Sequence, residues 1–484
     1  MTVAEGDACA AAAAQAGIAS HGRWQKTLYA LITYAILGHL IYGLLSPLVP
    51  AAPGSAGEHD LFSPMAALVG GYPLEEHFVT TADGYILRMF RIPHGPPAAC
   101  TARGGAANAS AAGGGGGEAG AQACGAAPAG AARPVAFMQH ALLDSSAGWV
   151  LLGPGRALAL QLVDAGFDVW LANSRGNRYS RNHTTLDPGG AAFWRFSWAD
   201  MADHDVPAMV GHALAVTGQD QVVYFGYSQG SMIGLAALSS QPALAARVSL
   251  AVLMAPVAFT AHMASPPFVL TVRAGLDRRL EAAGWNEWGG HHPAGAAAMQ
   301  AGCRWAPRAC AFYLTAICGA NPRGNLGPAT LEALMGHLPV GTSVRNMALW
   351  SQAVRRGSAT QLLRYDFGGD CAGGRPCNMR AYGQEQPPGF NLTQITTQIA
   401  LYTGDRDTIS PPADVALLRA ALAPGVIAAH AAHPDYGHLD LLLGDNAPAD
   451  VYPGVVSLAR AAAAAATSDG SAAATVGAGA AAAA

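Results

Sequence analysis

Apolar residues between positions 135 and 254 occur in short runs that alternate with longer, helix-like segments. The runs have the length and composition of buried strands, at 135–138, 167–172, 222–225 and 248–254. Helix-like segments lie between them, at 158–165 and 207–217. Because parallel strands are joined by helices that cross the sheet, this alternation predicts an α/β fold with a mostly parallel central sheet flanked by helices.

The pattern differs on either side of this region. Residues 78–92 indicate a β-hairpin that turns at Asp83-Gly84. From 266 to 395 the alternation gives way to amphipathic helices and loops, and strand-like runs return at 399–402 and 426–428. We therefore predict a helical cap at 266–395, inserted between two parts of the core at 59–265 and 396–455.

The amino-terminal segment has a different character. No charged residue occurs from 27 to 57, residues 28–49 are almost entirely apolar, and Arg23 and Lys26 precede them. This run is longer than the roughly 7–15 apolar residues of a signal peptide and approaches the roughly 20 that span a bilayer. We predict that residues 1–58 form a tail and signal anchor with a lumenal body, or a cleaved signal peptide that leaves the protein secreted or lysosome-like.

Composition and charge exclude several function classes. Charged residues make up only 12% of the 484 residues and the net charge is -4, so the chain lacks the basic footprint of a nucleic-acid-binding protein. The Ala/Gly-rich stretches at 97–132 and 456–484 are predicted to be a disordered insertion and a low-complexity tail.

Cysteines and sequons fit an oxidising compartment. Cys303, Cys310 and Cys318 cluster in the predicted cap, which indicates a disulfide without fixing the pairing. Glycosylation sequons begin at three asparagines, Asn108, Asn182 and Asn391. The chain has neither a Cys-x-x-Cys nor a His-Glu-x-x-His motif, so we expect no metal and no cofactor.

The most informative motif is Gly-Tyr-Ser-Gln-Gly at 226–230, which directly follows the strand-like run 222–225 and precedes a helix-like run. A Gly-x-Ser-x-Gly sequence in this context is typical of a nucleophile elbow, in which Ser228 lies at a sharp turn with its hydroxyl exposed. The backbone N–H of Gln229, at the start of the helix, would then face the same space and could bind an oxyanion.

A serine nucleophile needs a base and a carboxylate that orients it, and both follow later in the chain. Asp405 and Asp407 come directly after the strand-like run 399–402, and His433 and His438 come after the last strand. We prefer Asp407 and His438, with Asp405 and His433 as alternatives.

For the second oxyanion donor we choose the backbone N–H of Leu142, in the loop after strand 135–138, where His140 is interpreted as a structural residue.

Longer stretches resemble the acid lipase family, which includes gastric and lysosomal acid lipases and membrane-anchored steryl ester hydrolases. The matching stretches are 81–87, 91–93, 139–143, 166–177, 193–198, 226–230, 339–343, Asp407 and 438–440. The resemblance implies an α/β-hydrolase fold, the catalytic residues Ser228, Asp407 and His438, and oxyanion donors at Leu142 and Gln229. Asp414-Val415, seven residues after Asp407, matches the family spacing and favours Asp407 over Asp405.

Two positions depart from the family pattern. Ala141 replaces a glycine next to Leu142, in the loop after strand 135–138 that we call the oxyanion loop, and its methyl group could reshape this loop. Tyr227 replaces a histidine in the elbow. The resemblance implies a serine ester hydrolase that acts on triacylglycerol or steryl ester at a lipid or membrane surface, with no obligatory protein partner. The alternatives are an acyltransferase that uses the same residues and an inactive lipid-binding homologue.

Overall fold

A nine-stranded sheet forms the centre of the molecule. The computed structural model describes residues 61–96, 133–291, 293–319, 321–322, 324–357, 361–368 and 377–481, with side chains up to 466. The strands of this sheet are β1 (Glu75–Thr80), β2 (Tyr85–Ile92), β3 (Val135–Gln139), β4 (Asp168–Leu171), β5 (Asn182–His183), β6 (Val222–Tyr227), β7 (Val248–Met254), β8 (Gln398–Gly404) and β9 (Ile427–His433).

The order across the sheet is β1-β2-β4-β3-β6-β7-β8-β9, with β5 paired to β2. All pairings from β4 to β9 are parallel, and only the strands at the amino-terminal edge are antiparallel. The predicted hairpin and the mostly parallel sheet are confirmed. Strand β6 runs two residues further than its apolar run predicts, through Gly226 and Tyr227, and therefore delivers the chain directly to Ser228.

Two apolar cores cover the two faces of the sheet. Successive side chains of a strand point to opposite faces, and in β6 Val222 and Tyr224 belong to one core while Val223 and Phe225 belong to the other. The helices outside the predicted cap are Phe62–Val69, Leu158–Asp164, Trp198–Asp200, Met201–Asp205 (a π-helix), Val206–Thr217, Gln229–Ser240, Pro242–Ala245, Pro412–Ala421, Asp440–Leu443, Ala447–Asp450 and Tyr452–Ala481, with a 3₁₀ turn at Ser146–Trp149. Burial on both sides explains why the central strands are continuously apolar.

The predicted cap consists mostly of helices. They are Pro266–Arg273, Leu276–Ala282, Pro293–Trp305, Pro307–Cys318, Pro328–His337, Val344–Arg356 and Cys377–Tyr382, with a 3₁₀ turn at Leu392–Gln394 and two small ribbons that pair Glu287–Trp288 with Thr342–Ser343 and Leu362–Leu363 with Gly389–Phe390. A disulfide joins Cys303 to Cys310, across the turn between two of these helices, and Cys318 is a buried free thiol.

The ends of the chain bear on two predictions. The final helix, Tyr452–Ala481, continues through the predicted boundary at 455, and both Val455 and Ala459 are fully buried. In the part of the chain that the structure describes, no helix is both long enough and apolar enough to cross a bilayer. The predicted signal anchor or signal peptide, the 97–132 insertion and the sequon at Asn108 lie outside the described residues.

Candidate active site

Ser228 occupies the sharp turn between β6 and the helix Gln229–Ser240, which we call the elbow helix. Its backbone has φ 54° and ψ -114°, a conformation that L residues rarely adopt and that stores strain. The flanking glycines are required by close packing. A Cβ at Gly226 would lie 2.8 Å from the carbonyl oxygen of Gly230, and a Cβ at Gly230 would lie 2.2 Å from that of Gln139. These contacts fit the nucleophile elbow that the motif predicts.

A chain of two hydrogen bonds connects Ser228 to His438 and Asp407. The Nε2 atom of His438 lies 2.8 Å from Ser228 Oγ, and its Nδ1 atom lies 2.7 Å from Asp407 Oδ2. All three side chains are buried. Because an ionised carboxylate only accepts hydrogen bonds, Asp407 favours the tautomer with its proton on Nδ1 and leaves the Nε2 lone pair facing the serine hydroxyl.

The two alternatives from the sequence, Asp405 and His433, do not take part in these hydrogen bonds. Asp405 is exposed, whereas Asp407 is buried and also accepts hydrogen bonds from the N–H groups of Ile409 and Ser410, each at 2.8 Å. His433 stacks on Tyr436, with 5.0 Å between the ring centroids, instead of approaching Ser228. The structure therefore brings together Ser228, Asp407 and His438, the set that the sequence analysis preferred.

The proposed oxyanion donors lie on the loop after β3 and at the start of the elbow helix. That loop packs tightly against the helix, since a Cβ at Gly230 would also come within 2.9 Å of the carbonyl oxygen of His140. Among the described residues, the backbone N–H groups of Leu142 and Gln229 have no hydrogen-bond acceptor. Both groups are therefore free to donate a hydrogen bond, as an oxyanion donor must be.

His140 holds this loop in place, as the sequence analysis predicts. It is buried, its Nδ1 atom lies 2.7 Å from the carbonyl oxygen of Ala141, and its Nε2 atom accepts a hydrogen bond from the N–H of Ser174 at 3.0 Å. Burial lowers the pKa of His140 below its usual value, which favours the neutral ring that this acceptor role requires. His140 thus joins the oxyanion loop to the 173–177 segment after β4.

The alanine at position 141 fits the loop without backbone strain. Of the described non-glycine residues, only Leu143, Ser228 and Ala255 have positive φ. The backbone at position 141 therefore has an ordinary conformation that does not require glycine. The strained residue of the loop is Leu143, at φ 59°, and its carbonyl oxygen accepts a hydrogen bond from the N–H of Val340 in the predicted cap. The next residue, Asp144, lies 2.9 Å from His337 Nε2, also in that cap, and both side chains are buried.

Tyr227 contacts the back of the imidazole of His438. Its hydroxyl donates a hydrogen bond to the carbonyl oxygen of His438 at 2.8 Å, and the two rings stack with centroids 5.6 Å apart. Burial raises the pKa of Tyr227 well above its usual value and keeps this hydroxyl protonated as a donor. The sequence shows only that Tyr227 stands in the elbow, because a contact over 211 positions leaves no local pattern.

The loop that carries His438 is held by the predicted cap and by Asp440. The N–H of His438 donates to the carbonyl oxygen of Cys318 at 2.8 Å, and Asp440 accepts the N–H of Gly437 at 2.6 Å.

In the described part of the chain, no group of three or more His, Cys, Asp and Glu side chains is placed to hold a metal ion.

Asp440 makes the stability of the protein depend on pH. Burial, and more weakly the nearby charge of Asp407, raises its pKa from 3.8 to about 6. A raised carboxyl pKa means that the folded state binds the proton more tightly, so this stabilisation is complete below pH 4 and is lost as the pH rises through about 6. Asp440→Asn keeps an acceptor for Gly437 but does not titrate. Its free energy of unfolding relative to that of the wild type should therefore rise by roughly 2–3 kcal/mol between pH 4 and pH 8.

Urea unfolding of the wild type and of Asp440→Asn at both pH values measures this difference. Parallel pH profiles of the two proteins would contradict the assignment of the pH dependence to Asp440.

Comparison with known proteins places the chain in a family. Residues 134–445 match the family described as alpha/beta hydrolase fold, and residues 65–153 match the partial alpha/beta-hydrolase lipase region. The chain is 34% identical to human (Homo sapiens) lipase member K, over 80% of this chain and 88% of that protein. Identity to human gastric triacylglycerol lipase is 34%, over 89% of this chain and 98% of that protein.

A third human relative has a two-part name, lysosomal acid lipase/cholesteryl ester hydrolase, and is 33% identical over 81% of this chain and 88% of that protein. Each of these alignments covers at least 88% of the relative. The chain therefore belongs to the gastric and lysosomal acid lipase family of α/β-hydrolases.

Proposed function

We propose that the protein is a serine hydrolase that cleaves neutral lipid esters, with Ser228, His438 and Asp407 as its catalytic residues. The observation that carries the proposal is the hydrogen-bonded chain from Ser228 Oγ through His438 to Asp407. The names of the relatives, a triacylglycerol lipase and a cholesteryl ester hydrolase among them, support triacylglycerol or steryl ester as the substrate class.

In this mechanism Ser228 Oγ attacks the carbonyl carbon of the ester while His438 Nε2 takes the hydroxyl proton. The N–H groups of Leu142 and Gln229 stabilise the oxyanion of the tetrahedral intermediate, each contributing about 3 kcal/mol. The intermediate collapses to an acyl-enzyme, and the alcohol leaves with the proton from His438. Water, activated by the same imidazole, then attacks the acyl-enzyme and releases the fatty acid.

A narrow cavity lies next to the elbow helix, and most of its lining side chains are apolar. Its lining includes Trp198, Met232, Phe259, Leu349, Trp350 and Leu362, and Arg356 is the only charged residue among the described residues that line it. Met232 lies one helical turn after Ser228 on the elbow helix. The free space in this cavity, about 30 Å³, holds roughly one water molecule, so a fatty acyl chain would enter only after the lining side chains move apart.

The predicted cap presents apolar side chains to solvent, which supports action at a lipid or membrane surface. Trp305 is 88% exposed at the end of a helix, beside the Cys303–Cys310 disulfide. Leu270 and Phe312, on two other helices of the cap, are also exposed. Tryptophan is favoured where protein meets the boundary between lipid and water, since its ring is apolar and its N–H is polar.

We also propose that the catalytic domain lies in a lumenal or extracellular compartment, either anchored or released. A disulfide in the cap supports an oxidising compartment. Asn182 and Asn391 are exposed, so both sequons are accessible to glycosylation.

The test is a comparison of three substrates by the full chain: a trioleoylglycerol emulsion, a steryl oleate emulsion and a soluble short-chain ester. We expect fatty acid release from at least one emulsion, and its loss when a fluorophosphonate labels Ser228, as read by mass spectrometry. Transfer of the acyl group to an added alcohol in preference to water would identify an acyltransferase instead. A folded chain that binds lipid but neither hydrolyses it nor reacts with the fluorophosphonate would be a binding protein, contrary to the proposal.

A further inference from the structure

The side chain of Gln229 is held by two residues of the predicted cap. Its amide oxygen Oε1 lies 2.9 Å from Asn346 Nδ2 and 2.7 Å from Trp350 Nε1, so both nitrogens donate to the same oxygen. Gln229, Asn346 and Trp350 are each at most 2% exposed. An amide oxygen has two acceptor positions, and both are therefore used in a site without access to water.

The two donors are themselves fixed. Asn346 accepts the backbone N–H of Trp198 at 2.8 Å and donates to Thr342 Oγ1 at 3.0 Å, besides its contact with Gln229. Both donors lie on the helix Val344–Arg356, whose start is capped by Ser343 through the N–H of Asn346. Trp350 also packs edge to face against Phe268, at 5.8 Å between ring centroids. Contacts other than those with Gln229 therefore fix the positions of Asn346 and Trp350.

Gln229 is the first residue of the elbow helix, and its backbone N–H is the proposed oxyanion donor next to Ser228. A side chain fixed at its far end restricts the torsion angles of the residue that carries it, and oxyanion stabilisation depends on donors held in position before the reaction. We propose that Asn346 and Trp350 are positioning residues, which act through the side chain of Gln229 to fix its N–H toward the oxyanion. This inference rests on the proposed function.

A different role for Trp350 predicts a different result. Trp350 also lines the apolar cavity, so a role in acyl-chain binding alone would make its replacement raise KM for long-chain esters and leave kcat unchanged. A positioning role lowers kcat, with little change in KM, for short and long chains alike. The affinity for a boronic acid that forms a tetrahedral adduct with the serine should fall in parallel with kcat/KM.

The first test is Trp350→Phe, which keeps an aromatic ring and removes the indole N–H. We expect kcat on a soluble short-chain ester to fall by about 10- to 100-fold, since a displaced donor loses part of the 10²–10³-fold effect of a whole one. Trp170→Phe is the matched control, because Trp170 is fully buried in β4 and packs against Arg91 and His77 in the core. It should keep the wild-type kcat. Equal losses in both variants would overturn the proposal.

A double-mutant cycle with Gln229→Met shows whether Trp350 acts through the glutamine. The methionine sulfur is only a weak acceptor for either donor, so adding Trp350→Phe to Gln229→Met should change kcat by less than about twofold. A full additional loss would contradict the proposed route. Asn346→Asp provides a second variant if Trp350→Phe does not fold, since it keeps the acceptor for Trp198 and, as an ionised carboxylate, removes the donor to Gln229. It is assayed from pH 6 to pH 9, because a buried carboxyl that stays protonated would still donate. It should also lower kcat, and an unchanged kcat would contradict the proposal.

The outcome is distinguishable from failure of the proposed function. If Ser228→Ala keeps the activity of the wild type, the serine mechanism itself is wrong. If Ser228→Ala is inactive while Trp350→Phe and Asn346→Asp are fully active, only the positioning role of the two cap residues is wrong.

Discussion

Ser228→Ala, His438→Ala and the double variant should all lose turnover of a soluble short-chain ester to about the same residual rate. We expect kcat to fall by about 10⁵- to 10⁶-fold in each, because nucleophile and base act as one unit. The imidazole lies 2.8 Å from the serine oxygen and can remove its proton only if both groups are present. The residual rate comes from oxyanion stabilisation and binding, which the substitutions leave in place.

The measurement is kcat at saturating substrate for the three variants, with thermal unfolding to show that each is folded. Ser239→Ala is the matched control, because Ser239 lies near the far end of the same elbow helix and its hydroxyl donates to the carbonyl oxygen of Ala236 at 2.9 Å. It should keep the wild-type kcat. If the losses of Ser228→Ala and His438→Ala multiplied in the double variant, the two residues would act in separate steps and the proposed mechanism would be wrong.

The sequence predicts the local features of this site well, and the reason is geometric. A nucleophile elbow is built within a few residues, so the strand β6, the glycines at 226 and 230 and the start of the elbow helix all leave their pattern in one segment. The positions of Asp407 and His438 follow from chain order, because both come after strands whose carboxyl ends meet at the same edge of a parallel sheet.

Contacts between distant segments could not be predicted in this way. Asn346 is 117 positions from Gln229, and His337 is 193 positions from Asp144. Each residue looks ordinary in its own segment, since an asparagine, a tryptophan or a histidine on a helix has many roles. The same limit applies to Ala141, because the sequence does not show that the residue with positive φ is Leu143.

The predicted cap contacts His438, the side chain of Gln229, and the residues next to Asp407 and Leu142. The carbonyl oxygen of Ile317 accepts the hydroxyl of Thr408, next to Asp407, and that of Cys318 accepts the N–H of His438. Val340 binds the oxyanion loop at Leu143. With Asn346 and Trp350, these contacts mean that three separate segments of the cap support the site.

Asp407→Asn should lower kcat by about 10⁴-fold without unfolding the protein. Asp407 Oδ1 accepts the N–H groups of Ile409 and Ser410, while Oδ2 faces His438 Nδ1. An asparagine keeps its oxygen toward the two N–H groups, which places its NH₂ group against the imidazole. His438 must then accept at Nδ1 and carry its proton on Nε2, so it presents a hydrogen atom, instead of a lone pair, to Ser228.

Asp405→Asn is the matched control for this tautomer argument, since it makes the same chemical change two residues away. Asp405 is exposed, and the hydrogen bond from its backbone N–H to the carbonyl oxygen of His433 does not involve the side chain. Its kcat on the soluble ester should stay within about twofold of the wild type, as is usual for an exposed residue outside the site. A large loss in Asp405→Asn with little loss in Asp407→Asn would instead assign the orienting carboxylate to Asp405. That result would contradict the geometry, in which the buried carboxylate of Asp407 lies 2.7 Å from the imidazole.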